Sequence, residues 1–111
     1  MSLIYLASPY SHKSEAVREH RYLLTRLFTV KMLQLGKPIF SPIVYGKDME
    51  NQIGTDYISW KTLNDAMVRT CDHFLVLRLP GWEDSKGVTY EIELAKSLGK
   101  VITYVDPIPV K

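Results

Sequence analysis

The sequence predicts an α/β domain built on a doubly wound, mostly parallel sheet of four to five strands with helices on both faces. Three observations predict it. Short apolar runs alternate along the chain with amphipathic stretches. The runs are continuous in hydrophobicity, as strands covered on both faces are. Glycine or proline closes nearly every segment.

Leu3 to Ala7 is the first apolar run; Ser8 and Pro9 stop it, and it reads as a buried strand. From Ser14 a helical pattern places Val17, Leu24, Leu27, Phe28, Met32 and Leu35 at three-, four- and seven-residue spacings, with Gly36 just past its end as a cap. Lys37 to Phe40 reads as a brief second strand. The stretch from Ser41 to about Thr55, punctuated by Pro42, Gly46, Asn51 and Gly54, reads as irregular, and a loop of that length in a small domain is commonly a lid or a substrate-facing segment. Asp56 to Thr70 is expected to be a second helix with Trp60, Leu63 and Met67 on one stripe. His73 to Leu77 is the clearest strand, ended by Pro80 and Gly81. Residues 87 to 98 form a third helix closed by Gly99, Val101 to Val105 a fourth strand, and Pro107 and Pro109 end regular structure. Strands alternating with helices imply right-handed crossovers, in the flavodoxin-like or Rossmann-like manner.

The 111 residues, 46% of them hydrophobic, fit one compact domain spanning 1–111 that needs no staple. Cys71 is the single cysteine and has no internal bridging partner. Neither a charged, apolar and small-residue leader nor an apolar run of membrane length is present, so a cytoplasmic protein without a membrane partner is expected. The net charge of +2 is spread along the chain, which argues against a nucleic-acid polymer as partner and suits a small anionic ligand. No His, Cys or Asp cluster has metal-ligand spacing, and no Gly-rich dinucleotide fingerprint follows the first strand, so neither metal nor other cofactor is expected.

Ligands of doubly wound sheets bind beyond the carboxyl ends of the strands, which directs attention to Ser8 to His12, Ser41 to Thr55 and Pro80 to Glu91. On a helical wheel Val88, Leu94, Ala95 and Leu98 centre on one position, and that position is Glu91. Glu93 falls on the opposite side among Thr89, Lys96 and Ser97, as a solvated acid does. A carboxylate on a buried stripe carries a cost of several kcal/mol unless it is paired. Either it meets the helix N-terminus or a buried arginine, or it serves a site. Its place in the first turns after the Gly81 to Gly87 loop favours the site.

The segment Ser85-Lys86-Gly87-Val88-Thr89-Tyr90-Glu91-Ile92-Glu93-Leu94-Ala95 resembles the signature of the nucleoside 2-deoxyribosyltransferase superfamily, which includes deoxyribosyltransferases and nucleoside 5′-monophosphate N-glycosidases. Ile4-Tyr5-Leu6-Ala7-Ser8-Pro9-Tyr10 is similar to its first strand and loop; Cys71-Asp72, Gly81-Trp82 and Ser85-Lys86-Gly87 resemble its small bacterial and phage members. The likeness runs from about residue 3 to 105. It implies that Glu91 is a nucleophile attacking the anomeric carbon, giving a covalent glycosyl ester that water or a second base resolves. Thr89 and Glu93 stand where the family more often has a small residue and a glycine.

Burial raises such a carboxyl's pKa, so a hydroxyl is needed to keep it ionised; Tyr5 is favoured, with Tyr10 as the alternative and core packing as the plain reading of both. Asp65 resembles the family's second carboxylate, which orients substrate and nucleophile; equally, Lys61, Asp65 and Arg69 at four-residue spacing describe a solvated, ion-paired face. Ser85 and Gly87 lie at a helix N-terminus suited to phosphate, where Ser85 also suits a cap. The resemblance gives the monophosphate glycosidases a serine near this point and the deoxyribosyltransferases an aspartate, and this chain has Asp84 and Ser85 side by side. Ser8, Ser11 and His12 are candidates to hold the 5′ end, or to cap the first helix. Trp82 and Tyr45 suit base stacking or packing, and His20 and His73 read as structural. The family's habit implies a homo-oligomer. The resulting expectation is cleavage or transfer at the N-glycosidic bond of a (deoxy)nucleoside or its 5′-monophosphate, a small-molecule partner, with a non-catalytic nucleotide-binding or regulatory module as the alternative.

Overall fold

In a computed structural model, which describes residues 2–53 and 57–109, the elements run β1 (Ile4–Ala7), α1 (Glu15–Gln34), β2 (Ile39–Phe40), α2 (Pro42–Gly46), a 3-10 turn (Lys47–Met49), α3 (Glu50–Ile53), α4 (Tyr57–Thr70), β3 (His73–Leu77), a second 3-10 turn (Trp82–Asp84), α5 (Lys86–Ser97) and β4 (Val101–Val105). The four strands form one sheet in the order β2-β1-β3-β4, and every pairing is parallel. The direction of winding reverses between β1 and β3, as expected for the doubly wound class.

Alternate residues of the central strands feed two separate cores. Tyr5 and Ala7 of β1 with Phe74 and Val76 of β3 pack against Val68 of α4 and Val88, Ile92 and Ala95 of α5. Leu6 and Leu77 face the other way, against Phe28 of α1 together with Ile39 and Leu79. Both faces of the two central strands are therefore dry, which is why their sequences show no polar alternation, whereas β4 at the edge has no fully buried residue. Each fully buried Leu, Val or Phe contributes roughly 1.5–3 kcal/mol to this arrangement.

The boundaries follow from local chemistry. The Ser14 hydroxyl accepts from the Val17 N–H and starts α1, and Gly36 and Gly99 adopt the left-handed conformations that close α1 and α5. Within α1 the expected stripe shifts. Leu27 and Leu35 are exposed, while Thr25, Phe28 and Thr29 are buried. The threonines go inside because their hydroxyls are satisfied: Thr25 donates to the Arg21 carbonyl (2.8 Å) and Thr29 to the Thr25 carbonyl (2.8 Å).

The stretch expected to be irregular is instead helical over 42–53; Gly54 and Thr55, like Asp56, lie outside the described residues. Ser41 accepts from the Val44 N–H at 3.2 Å and Pro42 occupies the first turn, an N-terminal signature hidden by the glycine and prolines around it.

Arg21 ties two loops together at the carboxyl edge of the sheet. Its Nη1 donates to the Ser11 carbonyl (3.0 Å) after β1, and its Nη2 to the Pro80 carbonyl (3.3 Å) after β3. Gly81 has φ +89°, and a Cβ there would stand 2.5 Å from Arg21 Nη2. Gly81→Ala is expected to destabilise the protein by about 1–3 kcal/mol, read as a lower urea midpoint. An unchanged midpoint would show that this clamp carries no weight.

Candidate active site

A cavity of about 840 Å³ opens where the chain leaves β1, β2 and β3, within the size range of small-molecule sites. Ser8, Tyr10 and Ser11 line it from the first loop, Lys47 and Glu50 from the segment after β2, Asn64 and Asp65 from α4, and Glu91 from α5.

Tyr5 and Glu91 form its most desolvated pair. The Tyr5 ring is fully buried and stacked on Phe74, with centroids 5.5 Å apart and planes at 9°, so its hydroxyl has one available direction. That hydroxyl donates to Glu91 Oε2 at 2.5 Å. Burial pushes the Glu91 carboxyl up to about 7; the Tyr5 hydrogen bond pulls it down, and the charge of Asp65 adds to the rise. The Tyr5 hydroxyl itself is held well above its ordinary range, by burial first and then by Glu91, so the proton stays on tyrosine and the carboxylate accepts. Among the described residues Glu91 has no arginine or lysine in ion-pair reach, which disposes of the buried-arginine reading.

The environment of α5 also corrects the wheel. Its buried residues are Val88, Ile92 and Ala95, whereas Leu98 is exposed. The apolar stripe is thus centred nearer Val88, and Glu91 sits at its edge, facing the cavity instead of the middle of the core. Glu93 is solvated as expected, 70% exposed and 3.9 Å from Lys96.

On α4 Asp65 is ion-paired, as the four-residue spacing suggested, and it also lines the cavity. Its Oδ2 accepts from Lys61 Nζ at 2.6 Å, the expected i, i+4 pair, and from the Tyr90 hydroxyl at 3.0 Å. Yet the side chain is only 19% exposed and lines the cavity, and its Oδ1 is buried without a partner among the described residues. The hydrogen bond to Asp65 first, and Tyr90 after it, hold the Lys61 ammonium above its ordinary value.

Tyr10 does not reach Glu91. Its hydroxyl donates to Glu50 Oε2 at 2.7 Å, and Lys47 Nζ lies 3.1 Å from it and 3.0 Å from Glu50 Oε1. Burial alone would raise the Glu50 carboxyl, but the bonds from Tyr10 and Lys47 outweigh it and hold Glu50 below its ordinary value. Ser85 both caps α5, accepting from the Val88 N–H at 3.2 Å, and lines the cavity beside Asp84 and Gly87. His12 is the candidate that the structure moves away: it is exposed, does not line the cavity, and spends Nδ1 as acceptor from the Ser14 N–H at 2.9 Å, so it supports the entry to α1. Trp82 packs on Tyr104 (5.6 Å) and Tyr45 on Phe40 (5.6 Å), both outside the cavity.

Trp60 lines the cavity along with Tyr10 and Tyr90, and Gly46 is so close that a Cβ there would stand 2.9 Å from the Trp60 ring. Trp60, Asn64, Tyr90, Lys47 and Glu50 escaped sequence reasoning. Spacing offered one signal, because Trp60, Lys61, Asn64 and Asp65 recur at i, i+1, i+4 and i+5 and hence share a face of α4. Among the described residues no group of three or more His, Cys, Asp or Glu side chains is placed to hold a metal ion, and no helix is long and apolar enough to cross a membrane.

Comparison with known proteins agrees with the architecture. The fold matches the 2-deoxyribosyltransferase of Leishmania mexicana with a TM-score of 0.61 at 22% identity, over 96% of this chain and 65% of that one. It matches the 2-deoxyribosyltransferase of the psychrotolerant bacterium Bacillus psychrosaccharolyticus with a TM-score of 0.60 at 23% identity, over 95% of this chain and 72% of that one. The chain therefore spans about two thirds of the length of these enzymes. No curated protein matches the sequence. A family model, DUF1937, described as a domain of unknown function, matches residues 2–106. The chain thus belongs to the DUF1937 family, and it shares the fold of the two 2-deoxyribosyltransferases.

Proposed function

We propose that this protein cleaves or transfers the N-glycosidic bond of a (deoxy)nucleoside or its 5′-monophosphate, with Glu91 as nucleophile. The observation that carries the reading is the 2.5 Å hydrogen bond from a fully buried Tyr5 to Glu91 Oε2 at the wall of the cavity. Tyr5 engages Oε2, which leaves Oε1 as the oxygen that attacks. It bonds to the anomeric carbon as the C1′–N bond breaks and the electron pair leaves with the base, giving a glycosyl ester. Water or a second base then attacks the same carbon, the bond from C1′ to Glu91 Oε1 breaks with its electron pair returning to the carboxylate, and the proton the attacking group loses balances the one the departed base takes up. Asp65 orients substrate beside the nucleophile, and its charge keeps Glu91 basic. Ser8, Tyr10 and Ser11, with Asp84, Ser85 and Gly87 at the start of α5, surround the 5′ side of the sugar, where the helix N-terminus suits a phosphate or hydroxyl. The known activity of the two structural neighbours supports this reading. We read the whole chain as one such domain, associating with copies of itself.

The test is incubation with a panel of deoxynucleosides and their 5′-monophosphates, with and without a free acceptor base, read by chromatography. Released base marks hydrolysis and exchanged base marks transfer. A panel returned intact would remove the proposal and leave a nucleotide-binding module.

A further inference from the structure

Lys61 lines the cavity from α4, and its ammonium lies 2.6 Å from Asp65 Oδ2, one turn further along the helix. The surroundings are not those of a solvated surface pair. Asp65 is mostly buried, and its Oδ1 is closed to solvent without a partner among the described residues. Lys61 Nζ also lies 4.7 Å from the centroid of the Tyr90 ring, and the Tyr90 hydroxyl donates to the same Oδ2 at 3.0 Å. Tyr90 is the residue before Glu91 on α5, so this cluster joins the two helices beside the nucleophile.

Glu91 and Asp65 are two carboxylates on one cavity wall, and the charge of Asp65 works against ionisation of both Glu91 and Tyr5. Glu91 is faced by Tyr5 from β1, a neutral donor, and by Asp65 from α4. Asp65 is faced by Lys61 on its own helix and by Tyr90 from α5. Of the other lysines at the cavity, Lys47 pairs with Glu50 and Glu19, and Lys86, near Asp84, forms no ion pair with either acid. Among the described residues Lys61 is therefore the one cation in ion-pair reach of these two acids. Like charges in a desolvated site retain a proton between them unless a counter-charge is present.

We propose that Lys61 is a positioning residue of this site: its ammonium offsets the charge of Asp65, so that Asp65 and Glu91 stand side by side as carboxylates when the reaction begins. Its meaning for the reaction rests on the reading of Glu91 as nucleophile, whereas the offset of charge is measured on the protein without substrate.

Lys61→Met removes the cation and keeps an unbranched apolar stem, and Lys61→Arg restores a cation. Paired urea titrations between about pH 4 and about pH 9 follow the stability of each beside the parent. Without the ammonium the two acids hold their proton more tightly in the folded protein, so stability is lost as pH rises. The urea midpoint of Lys61→Met is expected to match the parent at about pH 4 and to fall increasingly below it through neutral pH. In a Glu91→Gln background the part of that fall above about pH 6 is expected to vanish, because one of the two charges is gone. The acid limb of turnover is expected to move up by about half to one pH unit in Lys61→Met, which lowers kcat/KM at about pH 7 roughly twofold to fivefold and leaves it nearly unchanged at about pH 9. Lys61→Arg is expected to keep the parent profile in both measurements. Lys61→Gln serves in place of the methionine variant should that fail to fold. A loss that is equal at every pH, one that is complete below about pH 6, or one that persists in full with Glu91→Gln overturns the proposal. So does an unmoved acid limb, or a Lys61→Arg protein that follows Lys61→Met. The expected pH-dependent loss without any base release leaves the offset of charge standing and removes the nucleophilic role of Glu91 instead.

Discussion

Glu91→Gln is expected to lower the rate of base release or exchange by on the order of 10³-fold or more, with little change in substrate affinity. The substitution keeps the shape of the side chain and a group able to accept from Tyr5 at the Oε2 position. It removes the nucleophilic carboxylate. Loss of a nucleophile removes the covalent route as a whole, so the residual rate reflects only substrate binding and water. Initial rates on the best substrate of the panel, with circular dichroism to establish that the variant is folded, decide the matter. A variant with more than about a tenth of the parent rate excludes Glu91 as nucleophile.

The second large effect is on pH dependence. In the proposed mechanism Glu91 reacts as the carboxylate, and burial pushes its carboxyl up to about 7, so turnover is expected to rise through neutral pH with an acid limb near that value. The same group bears on stability in a definite direction. A carboxyl whose folded value of about 7 exceeds its ordinary 4.5 binds its proton more tightly in the folded state, so stability declines as pH rises between the two. By about pH 8 the ionised carboxylate costs the fold about 3 kcal/mol. Glu91→Gln is therefore expected to be more stable than the parent at about pH 8 and nearly equal below about pH 4.5, measured as paired urea titrations. Tyr5→Phe acts the other way: without the hydrogen bond the acid limb moves to higher pH, and kcat/KM at neutral pH falls roughly tenfold. A limb unmoved by Tyr5→Phe would show that another group titrates there.

Much of this architecture is legible in the sequence because its strands are continuous apolar runs, buried on both faces at the centre of the sheet in β1 and β3. His73 to Leu77 and Val101 to Val105 coincide with β3 and β4, since a continuous apolar run bounded by turn residues has no competing reading in a parallel sheet. The segment 42–53 was not legible. Composition pointed to a loop, while a single capping serine and a proline at the first turn fold it into short helices. Glu91 stood out as a charge beside apolar neighbours, although Val88 and not Glu91 lies nearest the centre of the buried stripe. Its partner Tyr5 comes from β1, 86 residues earlier, and only the placement of α5 beyond the β1–β3 reversal joins them. His12 left two readings open, because a histidine in a ligand-facing loop and a histidine that accepts from an N–H at the entry to the next helix share one sequence context, and the contact with Ser14 is of the second kind. Asn64 and Trp60 gave no signal of their own, as polar and aromatic residues on a half-exposed helix ordinarily need no ligand.

Whether Glu91 becomes covalently glycosylated is the most direct question. A 2′-fluoro-substituted nucleoside slows breakdown of a glycosyl ester more than it slows departure of the base when the base is a good leaving group. Incubation followed by intact-protein and peptide mass spectrometry is expected to show one added glycosyl group per chain, on the peptide containing Glu91, and none in Glu91→Gln. Turnover of the natural substrate with no adduct, or an adduct that persists in Glu91→Gln, would contradict nucleophilic catalysis by this carboxylate.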